Sequence, residues 1–154
     1  MSPASAKDGV SEKMTAQRKG QENLLVLLQE AQDKFGHIPE ELIFQLSESL
    51  DVSTSDVYGV ATFYSFLSTK PLGRNVIRIC KSVPCFLKNC QPIIEAIEKE
   101  IGIGPGETTS DGRFSFQLTN CIGACDKAPA MMVNDDVHVD LTPEKTSQIL
   151  KAYE

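Results

Sequence analysis

The chain has 154 residues, 41% of them hydrophobic and 23% charged, with a formal net charge of −6. This is ordinary globular composition, enough for one domain or for a small domain with a helical extension. An acidic balance argues against nucleic acid, whose phosphates need clustered Lys and Arg, and no run of eighteen apolar residues offers a membrane span. The acidic balance suits solubility and docking to a basic partner surface.

In chain order, residues 1–17 read as a mobile polar arm with no secretory signal and no convincing transit peptide, so the expected location is the cytoplasm. Leu24, Leu25, Leu27, Leu28, Ala31 and Phe35 follow helical spacing, and Gly36 stops that helix. Pro39-Glu40-Glu41 opens a second helix with Leu42, Ile43, Leu46 and Leu50 on its apolar face. Ser53 and Asp56 resemble a capping box for a third, with Val57, Val60, Tyr64 and Leu67 on the buried side. Pro71-Leu72-Gly73 is the clearest linker, and it sets the expected boundary between residues 1–70 and residues 71–154.

Beyond the linker the period changes. Val76–Ile79 reads as a short strand running into Cys80, followed by a helix from Pro92 that carries Ile93, Ile94, Ile97 and Ile101 and stops at Gly102. Phe114, Phe116 and Leu118 alternate as a strand running towards Cys121. Residues 130–133 and 137–139 suggest a hairpin around Asn134-Asp135-Asp136, and Thr142-Pro143-Glu144 caps a last helix with Ile149, Leu150 and Tyr153. The class is therefore α/β, with a helical first half.

Five cysteines without an export signal argue against a disulfide framework. A strand, a helix and a second strand normally form a right-handed crossover with parallel strands. That topology puts Cys80 and Cys121 on the same sheet edge, each opening a loop that holds a second cysteine, Cys85 and Cys125. Structural zinc sites favour shorter Cys-x2–4-Cys pairs. The spacings here, four and three residues, favour a flat two-iron cluster, each pair gripping one iron. Zinc and a thiol–disulfide pair remain alternatives at this point. Pro84 lies in the first loop, and Gly123 and Ala124 in the second are small enough to let backbone N–H groups approach the sulfurs.

Cys80-Lys-Ser-Val-Pro-Cys85 and Cys121-Ile-Gly-Ala-Cys125-Asp-Lys-Ala-Pro-Ala-Met-Met resemble the thioredoxin-like 2Fe–2S subunit of respiratory complex I, a family that also serves NAD-linked hydrogenases and formate dehydrogenases. Gly36-His-Ile-Pro-Glu-Glu, Val57-Tyr-Gly-Val-Ala-Thr-Phe-Tyr-Ser and Leu141-Thr-Pro-Glu-Lys are similar to its helical N-terminal and closing segments. The resemblance runs from about Leu24 to the C-terminus. It implies an N-terminal helical bundle followed by a thioredoxin-like 2Fe–2S ferredoxin domain, with Cys80, Cys85, Cys121 and Cys125 as the cluster ligands and no catalytic residue. It also implies a flavoprotein partner carrying FMN, a 4Fe–4S cluster and the NAD(H) site, and a further iron–sulfur subunit. Consistent with this, the chain has no Gly-x-Gly-x-x-Gly after a strand and no Walker motif of its own. It departs from the family pattern at Cys90, where a small residue is usual, at Asn89, a common glycine, and at the charged pair Asp126-Lys127.

The remaining candidates read more plainly. Tyr58, Phe63, Tyr64 and Phe66 suggest helix core plus a partner contact rather than an electron path. His37 reads as a helix-entry residue and His138 as a strand surface residue. One of Met131 and Met132 should be core, and Cys90 a small buried residue at a helix start. Lys81, Lys88 and Lys127 either offset cluster charge or are solvated. The expected function is electron transfer in an NAD(P)H-linked complex (complex I-type module, hydrogenase or formate dehydrogenase), with a slight lean to a cytosolic hydrogenase-type parent. The alternative is a free-standing ferredoxin shuttle, which would need no helical platform. A thiol oxidoreductase would need a Cys-x-x-Cys, and the chain has none.

Overall fold

The computed structural model describes residues 23–153. The expected polar arm, residues 1–17, lies outside them. The chain divides into two compact units, Met1–Pro71 and Leu72–Glu154.

In the first unit, α1 (residues 23–35) turns Leu24, Leu28 and Ala31 inward. It ends at Gly36, whose φ of +74° lets its N–H reach the Gln32 carbonyl at 2.8 Å. Phe35, expected on the buried face, is 49% exposed, because it sits on the final turn and is not part of the core cluster. The Lys34 ammonium lies 5.1 Å from its ring centre. α2 (Glu40–Leu50) buries Ile43 and Leu46. α3 (Thr54–Phe63) starts at Ser53, whose hydroxyl accepts the Asp56 N–H at 3.1 Å and donates to the Asp56 carboxylate at 2.8 Å. The apolar spacing predicts that α3 runs on to Leu67. It stops at Phe63, since Tyr64 takes an extended backbone, and Tyr64 is left exposed. The core of this unit is Leu24, Leu28, Ile38, Ile43, Leu46, Val52, Val57 and Ala61.

The second unit is a mixed sheet with helices. Its elements are β1 (Asn75–Cys80), α4 (Val83–Leu87), α5 (Gln91–Ile101), β2 (Phe114–Thr119), β3 (Met131–Val133), β4 (Asp136–His138) and α6 (Pro143–Lys151). The strand order is β2-β1-β3-β4. β1 and β2 run parallel in the register Asn75↔Phe114 to Cys80↔Thr119, and the β3–β4 hairpin adds antiparallel on the other side of β1. Ile77, Ile79, Phe114, Phe116, Met131 and Val133 share one sheet face and pack with Ile93, Ile97 and Leu150. Each fully buried side chain of this kind stabilises by about 1.5–3 kcal/mol.

Alternation in β2 predicts one solvated face, yet Ser115 and Thr119 on its other face are buried too. The linker explains Ser115. The Gly73 N–H donates to its hydroxyl at 2.7 Å, and Thr108 Oγ1 lies 2.6 Å from it. A Cβ at Gly73 would stand 2.8 Å from the Phe114 carbonyl carbon, so only glycine passes there without displacing backbone. Two further differences are local. The sequence pattern makes α4 part of a loop, because five residues are too few for a periodic signal, although proline is well placed in a first helical turn. Tyr153, expected in the last helix, lies past its end.

Candidate metal centre

The parallel register aligns the ends of β1 and β2. Cys80, the last residue of β1, stands opposite Thr119, and Lys81 donates its N–H to the Thr119 carbonyl at 2.9 Å. Cys121 comes two residues later. After Cys80 the chain turns into α4, where residues 83, 86 and 87 share one helix face and Cys85 points the opposite way. Cys80 is 1% exposed and Cys85 is 2% exposed. Asn89, the position that commonly holds glycine in the resembling family, takes a left-handed φ of +60°. The turn then closes with the Cys90 N–H on the Cys85 carbonyl at 3.2 Å. Cys80, Cys85 and Cys90 form one buried group with Ile94, Ile122 and Ala128 against it.

The second loop is open. Cys121 and Cys125 are exposed, with their sulfurs 3.2 Å apart. That separation is far beyond a disulfide bond of about 2.0 Å, so both are thiols. Gly123 takes a φ of +85°, and its N–H reaches the Cys121 sulfur at 3.4 Å. The Cys80 thiol is within hydrogen-bonding reach of both Cys85 and Cys121 and interacts electrostatically with Cys125. The structure thus brings together four cysteines from two segments about 40 residues apart in sequence. Among the described residues, no three His, Cys, Asp or Glu side chains are grouped as they would be around one metal ion. Cys121 and Cys125, 3.2 Å apart, are the two members of one pair.

The two loops titrate differently. Burial, reinforced by the Cys80 thiol, pushes Cys85 up to about 11. The Gly123 N–H, followed by the Cys125 thiol, pulls Cys121 down. Cys125 is raised as the donor to Cys121, and Cys90 is raised chiefly by burial.

The other sequence candidates fall elsewhere. Tyr58, Phe63, Tyr64 and Phe66 belong to the first unit, and all four are exposed rather than core. His37 places Nδ1 3.2 Å from the Phe35 carbonyl. His138 is half-buried rather than a plain surface residue, 3.5 Å from the Tyr153 hydroxyl, and burial lowers its pKa. Met131 is core and Met132 half-buried. Lys81, Lys88 and Lys127 are exposed. Sequence reasoning missed the part played by Ala130, whose carbonyl accepts the Cys80 N–H at 3.4 Å and whose backbone also hydrogen-bonds the Cys85 thiol. It also missed the outward face of α4, although Val83, Phe86 and Leu87 already carry the i, i+3, i+4 signature.

Comparison with known proteins gives a consistent picture. Residues 10–154 match the family described as thioredoxin-like [2Fe-2S] ferredoxin. The chain is 43% identical over 122 residues to a subunit of the NADH-quinone oxidoreductase of Pseudomonas aeruginosa, covering 79% of this chain and 74% of that one. It is 46% identical, over the same length and the same shares, to the corresponding NADH-quinone oxidoreductase subunit from Escherichia coli strain K12. Among solved structures, an NAD+-reducing [NiFe]-hydrogenase in the air-oxidised state superposes with a TM-score of 0.69 at 22% identity, over 85% of this chain and 22% of that one.

Proposed function

The chain belongs to the thioredoxin-like [2Fe–2S] ferredoxin family, and on that premise we propose that it is the electron-transfer subunit of an NADH-linked multisubunit oxidoreductase, with Cys80, Cys85, Cys121 and Cys125 holding the cluster. The fold is α/β and thioredoxin-like, and the family cofactor is a 2Fe–2S cluster. The observation that carries the ligand assignment is the meeting of four thiols at the aligned ends of two parallel strands. The donor set fits the group, since four thiolates are a standard iron–sulfur ligand set.

When bound, the cluster accepts and releases one electron. The residues around it do the rest. Cys80 and Cys85 would hold it from buried, apolar surroundings, and Cys121 and Cys125 would hold it from the solvent-exposed loop. The Gly123 N–H places a fixed partial positive charge against the Cys121 sulfur, which favours negative charge there. Cys90 stays outside the ligand set as a buried neighbour. No side chain performs bond chemistry, so no catalytic residue is assigned.

The names of the relatives favour a complex I-type NADH dehydrogenase module over the hydrogenase-type parent to which the sequence leans. The proposed partners are a flavoprotein with FMN, a 4Fe–4S cluster and the NAD(H) site, and a further iron–sulfur subunit. The proposed division of labour gives docking to the region before the linker, whose described residues 23–70 hold the three helices, and the cluster to the region from residue 71 on. Among the described residues no helix is long and apolar enough to cross a membrane, and the proposed place is the cytoplasm or the cytoplasmic side of a membrane complex.

The test is anaerobic purification. Two irons and two labile sulfides per chain are expected, with no NADH oxidation by the chain alone and NADH-driven reduction of its cluster once the flavoprotein is added. A colourless zinc protein that takes up no iron on reconstitution would sink the reading, as would NADH oxidation by the isolated chain.

A further inference from the structure

α4 carries an apolar stripe that nothing in its own unit covers. Val83 is 68% exposed, Phe86 is 70% and Leu87 is 76%. They occupy one face of the helix whose other face delivers Cys85 into the buried sulfur group. A globular protein rarely leaves large apolar side chains this bare side by side unless another surface covers them.

The charges around the stripe are opposite in sign to the chain as a whole. Lys81 precedes α4, Lys88 follows it, and Lys127 ends the short 3-10 turn that begins at Cys125, all of them exposed. Asp126 is the only acidic residue in the segments 80–90 and 120–129. These segments therefore sum to +2, from three lysines and one aspartate, in a chain of net −6. The acidic composition alone pointed to a basic partner. The exposed lysines on either side of α4 point the other way.

We propose that Val83, Phe86 and Leu87, with Lys81 and Lys88 flanking their helix and Lys127 in the second cysteine segment, form the docking surface for a redox protein whose contact area has an apolar centre bordered by carboxylates. The proposal rests on the electron-transfer reading above and adds to it the surface used and the charge of the partner. An apolar anchor gives such an interface its lifetime, and complementary rim charges give it its association rate. The helix that carries the stripe also carries Cys85, so a partner seated there would lie one short helix from a member of the sulfur set.

The experiment uses the cluster-loaded full chain and the purified flavin-bearing subunit of its own complex, with association followed by stopped flow and affinity by titration. Three results are expected. The wild-type association rate falls steeply as salt is raised. Phe86→Ser with Leu87→Ser weakens affinity by about tenfold or more, chiefly through faster dissociation. Lys81→Glu with Lys88→Glu and Lys127→Glu slows association and reverses the salt dependence. Each variant must keep the wild-type visible spectrum. Lys88→Glu alone, three residues beyond Cys85, serves if the triple variant loads poorly. Unchanged affinity and salt dependence in loaded variants would overturn the docking surface and leave the electron-transfer reading standing, as would wild-type association that is indifferent to salt. A wild-type chain that holds no cluster would overturn that reading itself.

Discussion

The two cysteine loops perform one task in opposite surroundings. Cys80 and Cys85 are almost sealed from water by a strand end, a short helix and an apolar layer. Cys121 and Cys125 stand in solvent on a loop shaped by Gly123 and a short 3-10 turn, Cys125–Lys127. Burial opposes charge on a thiolate and a backbone N–H supports it, so the two pairs are unequal before any metal arrives. A ligand set can thus be anchored on one side and electrically tuned on the other.

The largest test of this contrast replaces sulfur by oxygen. Cys80→Ser or Cys85→Ser should abolish most cluster loading, because a buried alkoxide is far costlier to ionise than a thiolate. Cys121→Ser or Cys125→Ser should retain a cluster with a shifted visible spectrum, since water stabilises the oxygen anion there. Iron and sulfide per chain measure the difference. Equal losses at all four positions would erase the distinction.

Alkylation of the cluster-free protein sharpens the same contrast. The thiolate is the reacting species. Cys121, with its pKa lowered, should react first and reach its full rate at the lowest pH. Cys125, raised, should need a higher pH, and Cys85, pushed up to about 11 and buried, should stay slow throughout the neutral range. Peptide mapping by mass spectrometry after timed iodoacetamide treatment gives the order, and loading the cluster should protect all four.

Smaller effects follow at single neighbours. Gly123→Ala meets no atom within 4 Å, so its cost is the left-handed backbone itself, about 1–2 kcal/mol. If the loop relaxes, the N–H leaves the Cys121 sulfur and the reduction potential falls, which redox titration would detect. Cys90→Ala should lower thermal stability by about 1 kcal/mol for the buried atom removed and leave the cluster spectrum unchanged. A variant that cannot assemble a cluster would make Cys90 a ligand.

Much of the second unit was legible in the sequence. The run Val76–Ile79, the alternation of Phe114, Phe116 and Leu118, and the isoleucine face closed by Gly102 predicted the parallel pair and its crossover helix, and thereby the meeting of the cysteines. Less legible were features whose cause lies outside their own segment. α4 is shorter than two helical turns, so no period betrays it. Ser115 looks like a solvent-facing residue until Gly73 and Thr108 close over it. Phe35 and Tyr64 fit helical spacing but lie where the helices end. Exposure of the second loop was equally unreadable, because spacing says which sulfurs meet and nothing about how deep they sit.

The parallel register of β1 and β2 also acts as a ruler. Cys80 is opposite Thr119, so the gap between the two halves of the sulfur set is measured out by six matched residues on each strand. Inserting or deleting one residue within either strand would shift one cysteine pair by about 3.3 Å and turn the following side chains to the opposite sheet face. No point substitution in the strands does that. Changes of length should therefore be forbidden in both strands, and in the segment just before β2 as well, where Gly106, Glu107 and Thr109 are hydrogen-bonded to β2.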